Sequence, residues 1–269
     1  MKKLLFILCA ILAAACTTDE IAEHLVVDGW IEDGGYPVVI LTSSVAVVEG
    51  EMDYDDLQSH VLRGATVSIS DGDNTYKLMG KKDDNYFPPY IYTSYSFKGQ
   101  AGKTYTLNVK YGETEASAVT TIPAPQTLTK IEPNITEDGA TIKVGFTPKE
   151  DSYYFFFTKR AKKDSSYLPC MYTLVDGSAV SGAYEGIVFP GFDILGSEYK
   201  WHFESGDHVS VRFCTLDRET HAYWKALDDQ WTFSRSPFFP VHSGAPSNVS
   251  GGYGYWAGYG STFYEVDIP

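Results

Sequence analysis

The sequence predicts a mainly β protein made of two tandem antiparallel β-sandwiches, the second interrupted by one helix. Three observations carry that expectation. Among 269 residues there are 20 Tyr, 15 Phe and 5 Trp, 15% aromatic in all, and such residues pack best on a pleated surface. Several short runs alternate apolar and polar residues with period two, the pattern of strands buried on one face. Clusters of Gly, Asp and Asn separate these runs at the short intervals of an all-β fold.

The first unit is expected over residues 24–122. Its clearest strands are Ala65-Val67-Ile69 against Thr66-Ser68-Ser70, and Tyr105-Leu107-Val109-Tyr111 against Thr104-Thr106-Asn108-Lys110. Leu25 to Ile31, Pro37 to Val47, Thr75 to Met79, Ile91 to Phe97 and Thr114 to Ile122 supply further candidates, about seven strands in roughly a hundred residues. Gly99-Gln100-Ala101-Gly102-Lys103-Thr104-Tyr105 resembles the tyrosine-corner entry of immunoglobulin-like and fibronectin-like domains. In that motif the hydroxyl ties a strand to the loop before it, which gives Tyr105 a structural role. The acidic run from Glu49 to Asp56 has no period, lacks the spacing of a calcium loop, and reads as a solvated surface loop.

Pro123 and Pro125 stand one residue apart and cannot donate to a ladder, so residues 123–126 are expected to link the units. The second unit, 127–269, resumes with Ile142-Val144-Phe146, then Tyr153 to Phe157, Met171 to Val175, Tyr199 to Phe203 and Val209 to Thr215. One segment changes period. Leu216, Tyr223, Trp224, Leu227 and Trp231 share a helical face, Asp217 is placed to cap it and Glu219 falls in the first turn, which predicts a helix near 217–232.

The chain begins with Lys2-Lys3 and an apolar run from Leu4 to Ala15 that is too short to span a bilayer. Small residues lead up to Cys16. This resembles the bacterial lipobox, with Ala13 where Leu is usual, and implies removal of residues 1–15 as a leader and lipidation of Cys16; an ordinary secretory signal cut near Ala15 is the alternative. Residues 16–23 are then a lipidated tether. A diacyl or triacyl anchor is stable where one chain is marginal, each buried methylene contributing about 0.8 kcal/mol. Asp19-Glu20 resembles the acidic signal that Bacteroidota use to export lipoproteins to the outer face of the outer membrane, and it fits a solvated tether as well.

The net charge is −14. Loss of Lys2 and Lys3 with the leader leaves 19 basic residues against 35 acidic ones. That balance repels phosphate and argues against a nucleic-acid partner. Of the four cysteines, Cys170 and Cys214 remain once Cys9 and Cys16 are accounted for. An oxidising envelope permits a bridge between them, and two unpaired thiols are the alternative. Cys214 falls on the face opposite Val209, Val211 and Phe213. None of the six histidines shows a paired metal-ligand spacing, so no metal is expected, and no nucleophile elbow or catalytic Cys/His pair is present. Gly252-Tyr253-Gly254-Tyr255-Trp256-Ala257 matches a dinucleotide pattern in letters only. No buried strand precedes it and no crossover unit follows, so no cofactor is expected.

Leu25-Val26-Val27-Asp28-Gly29-Trp30-Ile31, Gly64-Ala65-Thr66-Val67 with Asp71-Gly72, the Gly99 to Tyr105 motif and Thr121-Ile122-Pro123-Ala124-Pro125 occur in that order. Tyr223-Trp224 with Leu227, Ser236-Pro237-Phe238, Ser247-Asn248-Val249 and Gly251 to Trp256 close the series. Together they resemble the Bacteroidota domain-of-unknown-function family 4249 over nearly the whole mature chain. The resemblance brings no catalytic residues. It implies an outer-membrane lipoprotein that is an accessory to a TonB-dependent receptor. The Cys16 anchor, the absence of catalytic motifs and the abundance of Tyr and Trp point to a non-enzymatic protein that binds a nutrient or a transporter, and a glycan or peptide ligand would suit exposed aromatics. An envelope hydrolase acting on a captured polymer and a structural spacer are the alternatives.

The aromatic C-terminal stretch is the one candidate contact site. Tyr253, Tyr255, Trp256 and Tyr259 are interleaved with Gly251, Gly252, Gly254, Gly258 and Gly260. So many glycines cost backbone entropy unless close approach or special turns require them. Either these rings face a ligand or partner, or Trp256 fills the core of the second unit, and the second reading is preferred because an aromatic near a chain end commonly closes a sandwich.

Overall fold

The computed structural model describes residues 24–44, 58–192, 199–233 and 244–269, with backbone alone over 231–233. The expected leader, the tether with Cys16, the acidic run from Glu49 to Asp56 and the ring of Trp231 lie outside these residues.

The protein is mainly β. The first part holds β1 (Leu25–Glu32), β2 (Val38–Ser43), β3 (Thr66–Ser70), β4 (Thr75–Lys82), β5 (Tyr90–Thr93), β6 (Thr104–Tyr111) and β7 (Thr114–Thr121). After the prolines come β8 (Lys130–Thr136), β9 (Gly139–Phe146), β10 (Tyr153–Arg160), β11 (Leu168–Pro169), β12 (Val175–Asp176), β13 (Tyr184–Val188) and β14 (His208–Leu216). The helix α1 (Arg218–Phe233), then β15 (Val249–Ser250) and β16 (Tyr253–Asp267), complete the described chain.

The alternating strands do what their pattern demands. Val27 and Ile31 of β1, Leu41 of β2, Val67 and Ile69 of β3, Leu107 and Val109 of β6 and Ala118 of β7 share one buried cluster. Strands β1 and β6 are not ladder neighbours, because the hydrogen-bonded order runs β1-β2-β5-β4-β3-β6-β7-β15. The path therefore folds over on itself and forms a sandwich around its own inner surface. In the second part, Ile142, Val144 and Phe146 of β9 meet Tyr154 and Phe156 of β10 and Val209, Val211 and Phe213 of β14. There the smaller sheet β13-β9-β8 packs on β11-β10-β14-β16.

Tyrosine hydroxyls brace both parts. The backbone N–H of Gln100 donates to Tyr105 at 3.0 Å, the corner expected from the sequence. Tyr154 receives the N–H of Lys149 at 2.8 Å over the same separation of five residues, a second brace the sequence reading did not single out. Helix α1 starts where Asp217 predicts, with the N–H of Thr220 donating to its carboxylate at 2.7 Å, and it packs Tyr223 and Trp224 against Phe155 and Phe157.

The largest departure lies at the chain end. Residues 249–259, expected in the second unit, belong to the first. Strand β15 pairs with β7, and β16 pairs in parallel with β1, from Val26 opposite Tyr253 to Glu32 opposite Tyr259. Beyond Gly260 the same strand turns its other edge to β14, antiparallel. One 15-residue strand thus joins the two parts into a continuous sheet. Glycine makes the joint feasible: Gly254 has φ +100°, and a Cβ there would collide with the carbonyl oxygen of Val27. A Cβ at Gly258 would sit 2.7 Å from the carbonyl of Thr121.

Smaller differences concern strands with weak patterns. Met171 to Val175 contributes only the start of β12, and Tyr199 to Phe203 forms only an isolated bridge from Phe203 to Ala140. Strands β8 and β13 carry little apolar alternation and take their place by pairing with β9.

Candidate functional site

On β1 the period-two pattern sends Val27 and Ile31 into the first core and Asp28, Trp30 and Glu32 to the opposite face. Because β16 joins the parts, that opposite face is continuous with Phe157 and Lys159 of β10, Arg212 of β14 and Tyr259 of β16. Together with Val38 and Ile40 of β2, Ile91 of β5 and the loops around Tyr86 and Tyr167, it lines an open groove of about 660 Å³. The size is that of a ligand site.

Arg212 lines this groove and is almost wholly buried. Its guanidinium carbon is 4.1 Å from the ring centre of Phe157, 5.3 Å from Tyr167 and 5.4 Å from Tyr259. Such a cage holds a cation through the negative ring faces. Its nearest carboxylate is Glu32, with Nη1 3.6 Å from Oε2, beyond hydrogen-bond length. Glu32 meanwhile accepts a hydrogen bond from the Ser261 hydroxyl at 2.7 Å. The Nε of Arg212 has no hydrogen-bond partner among the described residues.

Asp28 differs from Glu32. Its carboxylate has no hydrogen bond or ion pair among the described residues. Although the residue is exposed, desolvation by the surrounding protein pushes its pKa up to about 6. By contrast, Lys81 and Asp83 pair with each other at 2.9 Å, and Lys81 also donates to the Tyr95 hydroxyl at 2.8 Å. Above the groove, Trp224 of α1 donates its indole N–H to the Tyr259 hydroxyl at 2.9 Å and fixes that wall. Among the described residues no cluster of three or more metal-ligating side chains occurs.

The family model "Domain of unknown function (DUF4249)" matches residues 15–265. The chain belongs to the DUF4249 family. No curated protein matches its sequence. Among solved structures it is similar to one titled "Cytokine receptor complex - Crystal form 1A", at 11% identity and a TM-score of 0.25, over 72% of this chain and 86% of the other. The fibronectin domains FN1-FN3 of chicken CNTN1 match at 8% identity and a TM-score of 0.24, over 89% of this chain and 65% of that one.

The structure separates the four aromatics expected to act together in this DUF4249 chain. Trp256 is 0% exposed, and its indole N–H donates to the carbonyl of Tyr105 at 3.1 Å. It fills the core of the first part, which corrects the expectation that it closes the second. Tyr255 points the other way and stacks on Tyr223 of α1 at 4.5 Å. Tyr259 lines the groove. Tyr253 is 53% exposed and meets the edge of His24 at 5.0 Å. Strand alternation puts Trp256 on the face opposite the three tyrosines, which share one face of β16 and differ in what covers them along its length.

Cys170 and Cys214 are free thiols, both buried. Cys170 packs in the core between the two sheets of the second part, whereas Cys214 packs on the other face of β14 with Phe155 and Tyr259. The placement of Cys214 opposite Val209, Val211 and Phe213 is as the alternation predicts. Burial pushes the thiols up to about 12 and about 11, which keeps both protonated and unreactive at neutral pH.

Apart from Tyr259, the groove residues do not stand out in the sequence because they are scattered from Asp28 to Trp224. One signal was available. A Trp on the polar face of an alternating strand, as at Trp30, marks a face that something covers. The unbroken aromatic run of β10 likewise announces burial on both sides.

Proposed function

We propose that this protein is a non-enzymatic cell-envelope lipoprotein of the Bacteroidota, anchored in the outer membrane through lipid on Cys16. In this reading it faces the cell surface and binds a nutrient ligand in the groove as an accessory to a TonB-dependent receptor. The observation that carries the reading is the groove itself: an open trough across a sheet face, lined in part by aromatic rings with Asp28, Lys159 and Arg212 among them. Aromatic side chains give large contact area at low entropic cost.

The same geometry favours binding over glycosidic cleavage. Paired catalytic carboxylates stand about 5 to 9.5 Å apart. Of the groove carboxylates, Asp83 is held by Lys81 at 2.9 Å, and the Cα positions of Asp28 and Glu32, four residues apart on one strand face, are about 13 Å apart at roughly 3.3 Å per residue.

The test is purification of the full chain from gently solubilised outer membranes, with mass spectrometry of the Cys16 peptide. Acylated Cys16 and stoichiometric recovery of a TonB-dependent receptor are expected. Recovery of the protein alone, or an unmodified Cys16, would overturn the proposal.

A further inference from the structure

We propose that the groove binds a neutral oligosaccharide, its sugar rings stacked on Tyr36, Tyr95 and Trp30. This rests on the reading of the groove as the ligand site and names what that site takes.

Ring placement is the first argument. Tyr36 and Tyr95 line the groove and keep 39% and 63% of their surface exposed, yet both are held in place. Their rings meet at 4.9 Å with planes 82° apart. The Lys98 ammonium stands 5.0 Å from the centre of Tyr36, and that of Lys81 stands 5.4 Å from the centre of Tyr95 while donating to its hydroxyl at 2.8 Å. Exposed rings fixed before a ligand arrives lower the ordering cost of binding. Half-buried Trp30 adds a third ring to the same groove, packed against Tyr86 at 5.9 Å. The C–H bonds on the face of a sugar ring carry partial positive charge and are drawn to the negative faces of such aromatics.

Charge and hydrogen bonding are the second argument. The three cations of the groove, Lys81, Lys159 and Arg212, are matched by three acids, Asp28, Glu32 and Asp83, although the chain as a whole carries −14. Lys81 pairs with Asp83 at 2.9 Å, and Arg212 is enclosed by three rings beside Glu32. The site selects neither sign, which favours a neutral ligand. Lys159 and the hydroxyls of Ser165 and Ser166 line the groove with no hydrogen bond or ion pair among the described residues. With the exposed Asp28 carboxylate they supply donors and acceptors for sugar hydroxyls. An extended peptide is served less well, because its backbone groups need a free strand edge. Here β1, β2 and β16 each lie between two hydrogen-bonded neighbours.

The experiment applies the purified chain lacking its leader to an array of neutral and uronate-bearing glycans, then titrates the best neutral binder by calorimetry against wild type and four variants. Neutral glycans should be retained in preference to uronates. Tyr95→Ala and Tyr36→Ala should each weaken binding roughly tenfold or more, with melting temperatures close to that of wild type. Tyr95→Phe keeps the ring and should stay within about threefold of wild type. Tyr253→Ala removes a ring that is 53% exposed but lies outside the groove, and should bind as wild type does. A preference for uronates, or neutral binding that neither alanine variant at Tyr36 and Tyr95 weakens, overturns the proposal. An array with no neutral binder overturns it as well. In that case, capture of a capped tetrapeptide library that Tyr95→Ala abolishes would leave the groove as a ligand site, and no such capture would overturn both readings.

Discussion

The two halves of this protein solve the same packing problem with different resources. The second part brings two sheets and fills the space between them mainly from residues 140–213, with Val266 and Ile268 added at the chain end. The first part folds one hydrogen-bonded path over on itself, and its core also takes in Val249 and Trp256, more than 120 residues beyond its last strand β7. Each half carries its own tyrosine brace, Tyr105 in one and Tyr154 in the other. The difference teaches that the first part looks like a domain in sequence and is incomplete without the chain terminus. The strand that completes it also makes the sheet face on which the groove lies.

The strongest way to break this comparison is truncation after Pro125. That cut removes β15, β16 and Trp256 from the first core, and the remaining fragment is expected to show no cooperative unfolding transition by circular dichroism. A fragment that melts cooperatively would restore the tandem-domain picture.

A milder cut at the same joint is Trp256→Ala. A fully buried Trp with a satisfied indole N–H is expected to cost about 3 to 5 kcal/mol on truncation, read as a lower urea midpoint in the full chain. An unchanged midpoint would remove Trp256 from the core.

The two braces sharpen the comparison at smaller scale. Tyr105→Phe and Tyr154→Phe each leave one backbone N–H without its acceptor and should each cost about 1 kcal/mol. Equal losses in chemical denaturation would show the halves to be braced alike, whereas a loss confined to one would show that only that brace contributes.

Asp28→Asn tests the groove against the scaffold through pH. The folded-state pKa of Asp28 is raised from 3.8 to about 6, so between these values the folded chain holds more proton than the unfolded chain and this group lowers stability as pH rises. The variant should therefore melt higher than wild type above about pH 6 and converge with it below about pH 4. A constant offset across that range would show that the carboxylate is not the cause. The smallest effect is expected at Tyr253→Ala, within about 0.5 kcal/mol in denaturant unfolding, because its ring is largely exposed.

Legibility in the sequence followed the reach of the interactions concerned. Tyr105 and its Gln100 partner are five residues apart, and Asp217 caps a helix three residues on. Both could be read locally. Arg212 and Glu32 meet across 180 positions of chain, and only one of the four aromatics proposed as a contact set, Tyr259, lines the groove. The glycines of the C-terminal stretch did announce close backbone approach, but not which backbone approaches.

Readable from the residues alone are the mainly β class, most strand positions in the first part, the tyrosine corner, the helix with its cap and the inward or outward face of residues such as Cys214. These follow from periods of two and 3.6 and from side-chain hydrogen bonds that close within a few residues. Long-range packing sets the parallel pairing of β16 with β1, the place of Trp256 in the first core and the meeting of Asp28, Trp30 and Arg212 in one groove. The physical reason is that a strand carries two open ladder edges and two faces, and its own sequence specifies the faces while the packed fold chooses the edges.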